Sequence, residues 1–131
     1  MQPNPKPVLA VIKLLHTAVW LFFVACIAAV PLAASMHRFR LTALLAAIVL
    51  LECLVLALNR FRCPLTDLAA RFAPETSHNF DIYLPNWLAR HNKTIFGTLF
   101  VIGGLFALAQ WLLSMRYRGS ESASPLKYTS R

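Results

Sequence analysis

Apolar residues in this chain gather into three long blocks instead of recurring at the intervals of one soluble core. The first, VLAVIKLLHTAVWLFFVACIAAVPLAA over 8–34, leads through the short turn MHRFR into LTALLAAIVLLECLVLALN over 41–59. The third, TIFGTLFVIGGLFALAQWLLSM, covers 94–115. About 20 consecutive apolar residues cross a bilayer core of roughly 30 Å, so each block predicts a membrane-spanning helix. The spans fall at about 14–34, 41–59 and 94–115. So short a turn makes the first two an antiparallel hairpin. The prolines of MQPNPKP keep the first helix from starting before Pro7. Pro31 lies in the last turn of its span, where a kink or an exit costs least.

Residues 60–93 break the pattern. Within them, PLTDLAARFA places Leu65, Leu68, Ala69 and Phe72 at i, i+3, i+4 and i+7, the stripe of a short amphipathic helix. Pro64 suits its first position, where the missing N–H is no loss, and Pro74 ends it. Thr66, Asp67 and Arg71 take the other side, with Asp67 and Arg71 spaced for an i, i+4 ion pair. A helix of this kind lies flat in the membrane interface. Phe80, Tyr83 and Trp87 suit the headgroup level, so the segment reads as a lid on the membrane. The Ser-rich tail from Arg116 is expected to be disordered. The expected fold is an all-α integral membrane protein with three transmembrane helices and a short amphipathic interfacial helix between the second and third. Residues 1–115 form its single membrane domain and 116–131 its tail.

Composition agrees with a membrane protein. Of 131 residues, 58% are hydrophobic and 14% charged, against about 25% charged in soluble domains. A net charge of +8 in a soluble protein would suggest nucleic acid. Here Lys13, Arg38, Arg40, Arg60, Arg62, Arg90, Lys93, Arg116 and Arg118 cluster at the block ends, where they hold helices at lipid headgroups. The bilayer is therefore the expected partner, and nucleic acid is not. Cations are nearly balanced between the two sides. Arg38, Arg40, Arg116 and Arg118 press closest on the spans, which favours a cytoplasmic turn and tail and places the 60–93 loop in the periplasm of a diderm bacterium. The first apolar block is longer than the 7–15 residues typical of a signal-peptide core, so it reads as an uncleaved span. Phe23 stands where a lipoprotein signal wants a small aliphatic residue.

Candidate chemistry is sparse. Cys26, Cys53 and Cys63 form no CxxC pair, which argues against a disulfide framework, a structural zinc site or a quinone-linked disulfide enzyme. Cys63 precedes Pro64 at the N-cap of the lid helix, beside Arg60 and Arg62. The helix dipole and the two cations favour the reactive thiolate form, whereas the structural reading is a small residue at a tight corner. Glu52 is the most expensive residue in the spans, at about 3 kcal/mol near a bilayer centre. It reads either as a protonated group bonded to backbone or as a proton, cation or ligand contact, with Asn59 on its face. His16 shares a face with Lys13 and Trp20. It sits roughly 9 Å nearer the lid than Glu52 at about 1.5 Å per residue, so a direct pair needs tilt or water. His37, His78 and His91 lie outside the spans, which argues against intramembrane bis-histidine haem. Gly97, Gly103, Gly104 and Ala107 permit close helix approach.

Cys63-Pro64-Leu65-Thr66 directly after an apolar segment resembles the signature of a family of small bacterial integral membrane proteins of unknown function. Leu15-His16 early in the first span and Tyr83-Leu84-Pro85 before the last are similar to that family as well. The resemblance covers residues 14–115. The chain departs from the pattern at Ala69, where members tend to carry an acid. The resemblance implies a multi-pass protein of the bacterial cytoplasmic (inner) membrane and brings no activity or cofactor. Two functions follow as expectations. One is a non-enzymatic subunit or modulator of a membrane complex, contacting a membrane-protein partner or a second copy. The other is a membrane-interface enzyme or binding protein for a lipid-like or redox ligand under the lid, with Cys63, Asp67, His16, Glu52 and Tyr83 facing it and Pro64 and Thr66 forming the corner.

Overall fold

The computed structural model describes residues 5–73 and 79–122. These form four helices: α1 (Pro5–Ser35), α2 (Phe39–Leu58), α3 (Pro64–Ala70) and α4 (Asn86–Ser122). Three of them, α1, α2 and α4, are long and apolar enough to cross a membrane, which defines an all-helical, multi-pass class of protein. Their outward faces carry Leu14, Phe22, Leu51, Leu54, Val101 and Leu105, each more than half exposed. Contiguous apolar surface of that kind matches a lipid solvent.

The helices differ from expectation at their ends. α1 begins at Pro5, ahead of Pro7. Proline is tolerated there because the first turn's N–H groups have no intrahelical partner. α4 runs for 37 residues, absorbing 86–93 of the expected lid and 116–122 of the expected tail. Pro74, Glu75, His78 and residues 123–131 lie outside the described residues.

The α1–α2 turn closes α1 with paired backbone bonds, Arg38 N–H to the Ala33 carbonyl and His37 N–H to that of Ala34, both at 3.0 Å. His37 takes the left-handed conformation at φ 55°, so this is a Schellman stop without glycine. α1 is the hub. It packs along both α2 and α4, whereas α2 and α4 scarcely touch, and α3 rests on α1. The core of Val30, Ala34 and Ala107, with Leu45, Ala46 and Phe100 around it, is built from small side chains that let helix backbones approach closely. A Cβ added at Gly103 would meet Pro31 Cδ at 3.3 Å, whereas one at Gly104 would meet nothing within 4 Å. Pro31 thus stays inside α1 and fits against the glycine opposite.

Candidate functional site

The exit of α2 is a tight corner. Arg60 and Phe61 are both left-handed, at φ 54° and 59°, and the chain turns there before Cys63. Asn59 braces the corner, its Nδ2 donating to the Arg62 carbonyl at 2.8 Å and to Asp67 Oδ2 at 2.9 Å. Asp67 is therefore held by Asn59, and the expected pairing with Arg71 does not form. Lys93 Nζ from α4 donates to the Phe61 carbonyl. Cys63 stands at the N-cap in extended backbone, φ −66° and ψ 137°, with Pro64 opening α3.

Beyond α3, residues 79–84 dock on α1. The Tyr83 N–H donates to Thr17 Oγ1 at 3.0 Å, and that hydroxyl donates to the Lys13 carbonyl at 2.7 Å. Ile82 and Leu84 are buried, and Asn79 Nδ2 donates to the Leu84 carbonyl at 3.0 Å. This docking brings Asp81 against His16. Asp81 Oδ2 lies 3.1 Å from His16 Nδ1, with the two side chains only 7% and 14% exposed. The Asp81 carbonyl lies 3.2 Å from the same nitrogen. Both partners are acceptors, so Nδ1 carries the proton and Nε2 is the nitrogen with a lone pair or a second proton. The Thr66 hydroxyl donates to the same Oδ2. Burial pushes the Asp81 carboxyl up, but the bonds from His16 and Thr66 outweigh it and leave the group below its usual value. The carboxylate is thus ionised at neutral pH. Cys63 lines the same cavity as His16, and its carbonyl accepts the Thr66 N–H at 2.9 Å.

Four segments therefore supply one cluster: His16 from α1, Cys63 from the corner, Thr66 from α3 and Asp81 from the docked loop. It lies at the polar end of a cavity of about 690 Å³ that reaches as far along α1 as Ile27, with Trp20, Phe23, Leu56 and Phe96 in its walls. Arg62, Arg90 and Lys93 line it too. Trp20 Nε1 donates to Asn92 Oδ1 at 2.8 Å, and its ring meets Phe96 edge-on at 5.5 Å, which fixes one wall.

The expected site residues separate into two groups. Cys63, His16, Glu52 and Asp67 line the cavity, and Glu52 makes no hydrogen bond or ion pair among the described residues. Tyr83 turns outward instead, 57% exposed, with Lys13 Nζ 5.7 Å from the centre of its ring. Its backbone serves the docking; its side chain does not reach the cavity. Thr66, expected on the solvent side of α3, points inward, because Ala69 is the residue that α3 buries completely and Thr66 lies one turn before it. Asp81 is the group that sequence reasoning missed. Its one signal was an acid placed between Phe80 and Ile82 in the segment expected to lie at the headgroups.

The three long apolar helices, with a partly buried polar cluster at their loop end, mark a multi-pass membrane protein with a cavity among its helices. Comparison with protein-family models, with curated proteins and with solved structures finds no match to this chain.

Proposed function

We propose that this protein is a membrane-embedded binding protein for a lipid-like amphiphile, whose polar end meets the His16–Asp81–Cys63–Thr66 cluster while its apolar part lies along α1. The single observation that carries this reading is the cluster's position at one end of a long, largely apolar cavity. A pocket of about 300–1,000 Å³ with apolar walls and a few converging polar groups is the usual form of a small-molecule site. From His16 to Ile27 the groove runs about 16 Å at about 1.5 Å per residue, the reach of a long acyl chain. Arg62, Arg90 and Lys93 favour an anionic head.

Membrane depth supports the same arrangement. α1 has 31 residues, more than the roughly 20 needed to cross. With its turn at Ser35 set at one boundary, the opposite boundary falls near Leu15 and His16. The cluster then sits where headgroups begin, and α3 lies in the interface. We further place the protein in a bacterial inner membrane with the 60–93 segment in the periplasm, on the strength of the Cys-Pro-Leu-Thr run and the cations flanking the spans.

The test is fluorescence quenching in a Trp87→Phe, Trp111→Phe background, which leaves Trp20 in the cavity wall. A brominated, anionic single-chain amphiphile is expected to quench Trp20 saturably and in competition with its unbrominated form. Quenching that rises linearly with bulk lipid, as for any lipid-exposed indole, would overturn the reading.

A second reading, a subunit or modulator of a membrane complex, draws support from Gly97 and Gly104. An added Cβ at either meets nothing within 4 Å, so α4 keeps an open small-residue face. Extraction in mild detergent that yields only monomers would count against it.

A further inference from the structure

Resting on the binding reading above, we propose that Cys63 is a nucleophile that takes an acyl group from the bound amphiphile, with His16 as its general base and acid and with Asp81 and Thr66 as positioning residues. The His16 Nδ1–H is committed to the Asp81 carboxylate at 3.1 Å and the Asp81 carbonyl at 3.2 Å. Nε2 is thereby left as the ring nitrogen free to exchange a proton with a neighbouring group. Cys63 is the thiol that lines the same cavity as this ring, and its carbonyl accepts the N–H of Thr66 at 2.9 Å, the residue whose hydroxyl bonds Asp81. A nucleophile beside a base, with the base oriented by a third group, is the arrangement that covalent catalysis requires. Thr66 adds a fourth member by fixing the carboxylate that fixes the ring.

The step balances without any outside oxidant or reductant. The donor is a long-chain acyl thioester or ester, R–CO–X–R′. The Cys63 S–H gives its proton to His16 Nε2, and the sulfur attacks the acyl carbon. The C–X bond breaks, the leaving R′–X takes the proton from His16, and the product is a Cys63 thioester, R–CO–S, with R′–XH released. Water or a second nucleophile later takes the acyl group by the reverse sequence and restores the thiol. The cavity supplies the chain's place and the position of the cluster supplies the carbonyl's. Cys53 serves as an internal control: it also lines the cavity, yet no ring or carboxylate pairs with it among the described residues.

The test uses the full chain in lipid nanodiscs with two probes, palmitoyl-coenzyme A added from solution and an alkyne-tailed phosphatidylglycerol built into the disc. Intact mass and peptide mapping read the covalent product. The expected result is a gain of one acyl chain on Cys63, removed by neutral hydroxylamine, with the productive probe showing whether the donor is a soluble thioester or a bilayer ester. His16→Gln is expected to slow labelling by about a hundredfold or more, the usual contribution of a general base. Asp81→Asn, which can turn an N–H toward Nδ1 and impose the wrong tautomer, is expected to slow it while shifting its pH profile. Labelling spread evenly over Cys53 and Cys63, or a rate unchanged in His16→Gln, would overturn the proposal. So would an unlabelled Cys63 when Trp20 quenching shows the amphiphile bound, in which case the binding reading stands alone. Absence of both quenching and label removes both readings. The labelled position in the natural sequence decides the matter even where a variant fails to fold.

Discussion

Asp81→Asn tests the docking of the loop on α1 directly. In the natural protein one carboxylate oxygen accepts from the Thr66 hydroxyl and forms an ion pair with His16 Nδ1 at 3.1 Å, with only 7% of the side chain exposed. Asparagine keeps one acceptor and loses the charge, so the ion pair with His16 goes and the charge-assisted bond from Thr66 weakens. A bond to a charged group contributes about 1.5–3 kcal/mol, which puts the loss at about 2–3 kcal/mol of docking free energy. At about 1.4 kcal/mol per tenfold, local opening should rise roughly 30- to 150-fold. Hydrogen exchange of the segment holding the Tyr83 amide, read by mass spectrometry in detergent, reports that opening. The pH dependence has a fixed sign. The docked carboxyl titrates below its usual value of 3.8, so its contribution is complete above that value and is lost as pH falls through it toward the docked one. The difference between natural protein and variant should therefore be largest near neutral pH and shrink in acid. Equal protection of the two proteins at neutral pH, or a ratio that does not change on acidification, would refute the docking argument.

Three further outcomes are expected. Gly103→Ala should destabilise the α1–α4 contact by about 1 kcal/mol or more, because its Cβ presses on Pro31. Gly104→Ala, with open space there, should be neutral or slightly stabilising, and thermal melts in detergent compare the two. Trp20→Phe leaves Asn92 Oδ1 without its donor at 2.8 Å; a loss of about 1 kcal/mol is expected, checked by the same melts. Thr66→Val should speed exchange in the docked loop while Thr66→Ser, which keeps the hydroxyl, should not; equal effects would show that the methyl group matters and the bond to Asp81 does not.

Much of the architecture was legible because it depends on local composition. An apolar run of about 20 residues has one medium in which its backbone and side chains are both satisfied, and that follows from the run itself. The three blocks, the short turn after the first and the Cys-Pro start of α3 were therefore readable one segment at a time. Helix ends were less so. Pro5 and residues 116–122 fall where propensity is weak and a neighbouring helix turn is enough to extend the element.

The cluster was beyond sequence reasoning because its members come from separate segments. His16 and Asp81 are 65 residues apart, and nothing in either local pattern names the other. Only the packing of α3 and the docked loop on α1 turns Thr66 inward, sends the Tyr83 ring outward and sets Asp81 against the imidazole. The sequence by itself determined the solvent and the number of long helices, since burial of apolar length is a local requirement. Which of His16, Glu52, Asp67 and Tyr83 joins the cluster around Asp81 was decided by tertiary structure, because a buried carboxylate goes where donors converge on it.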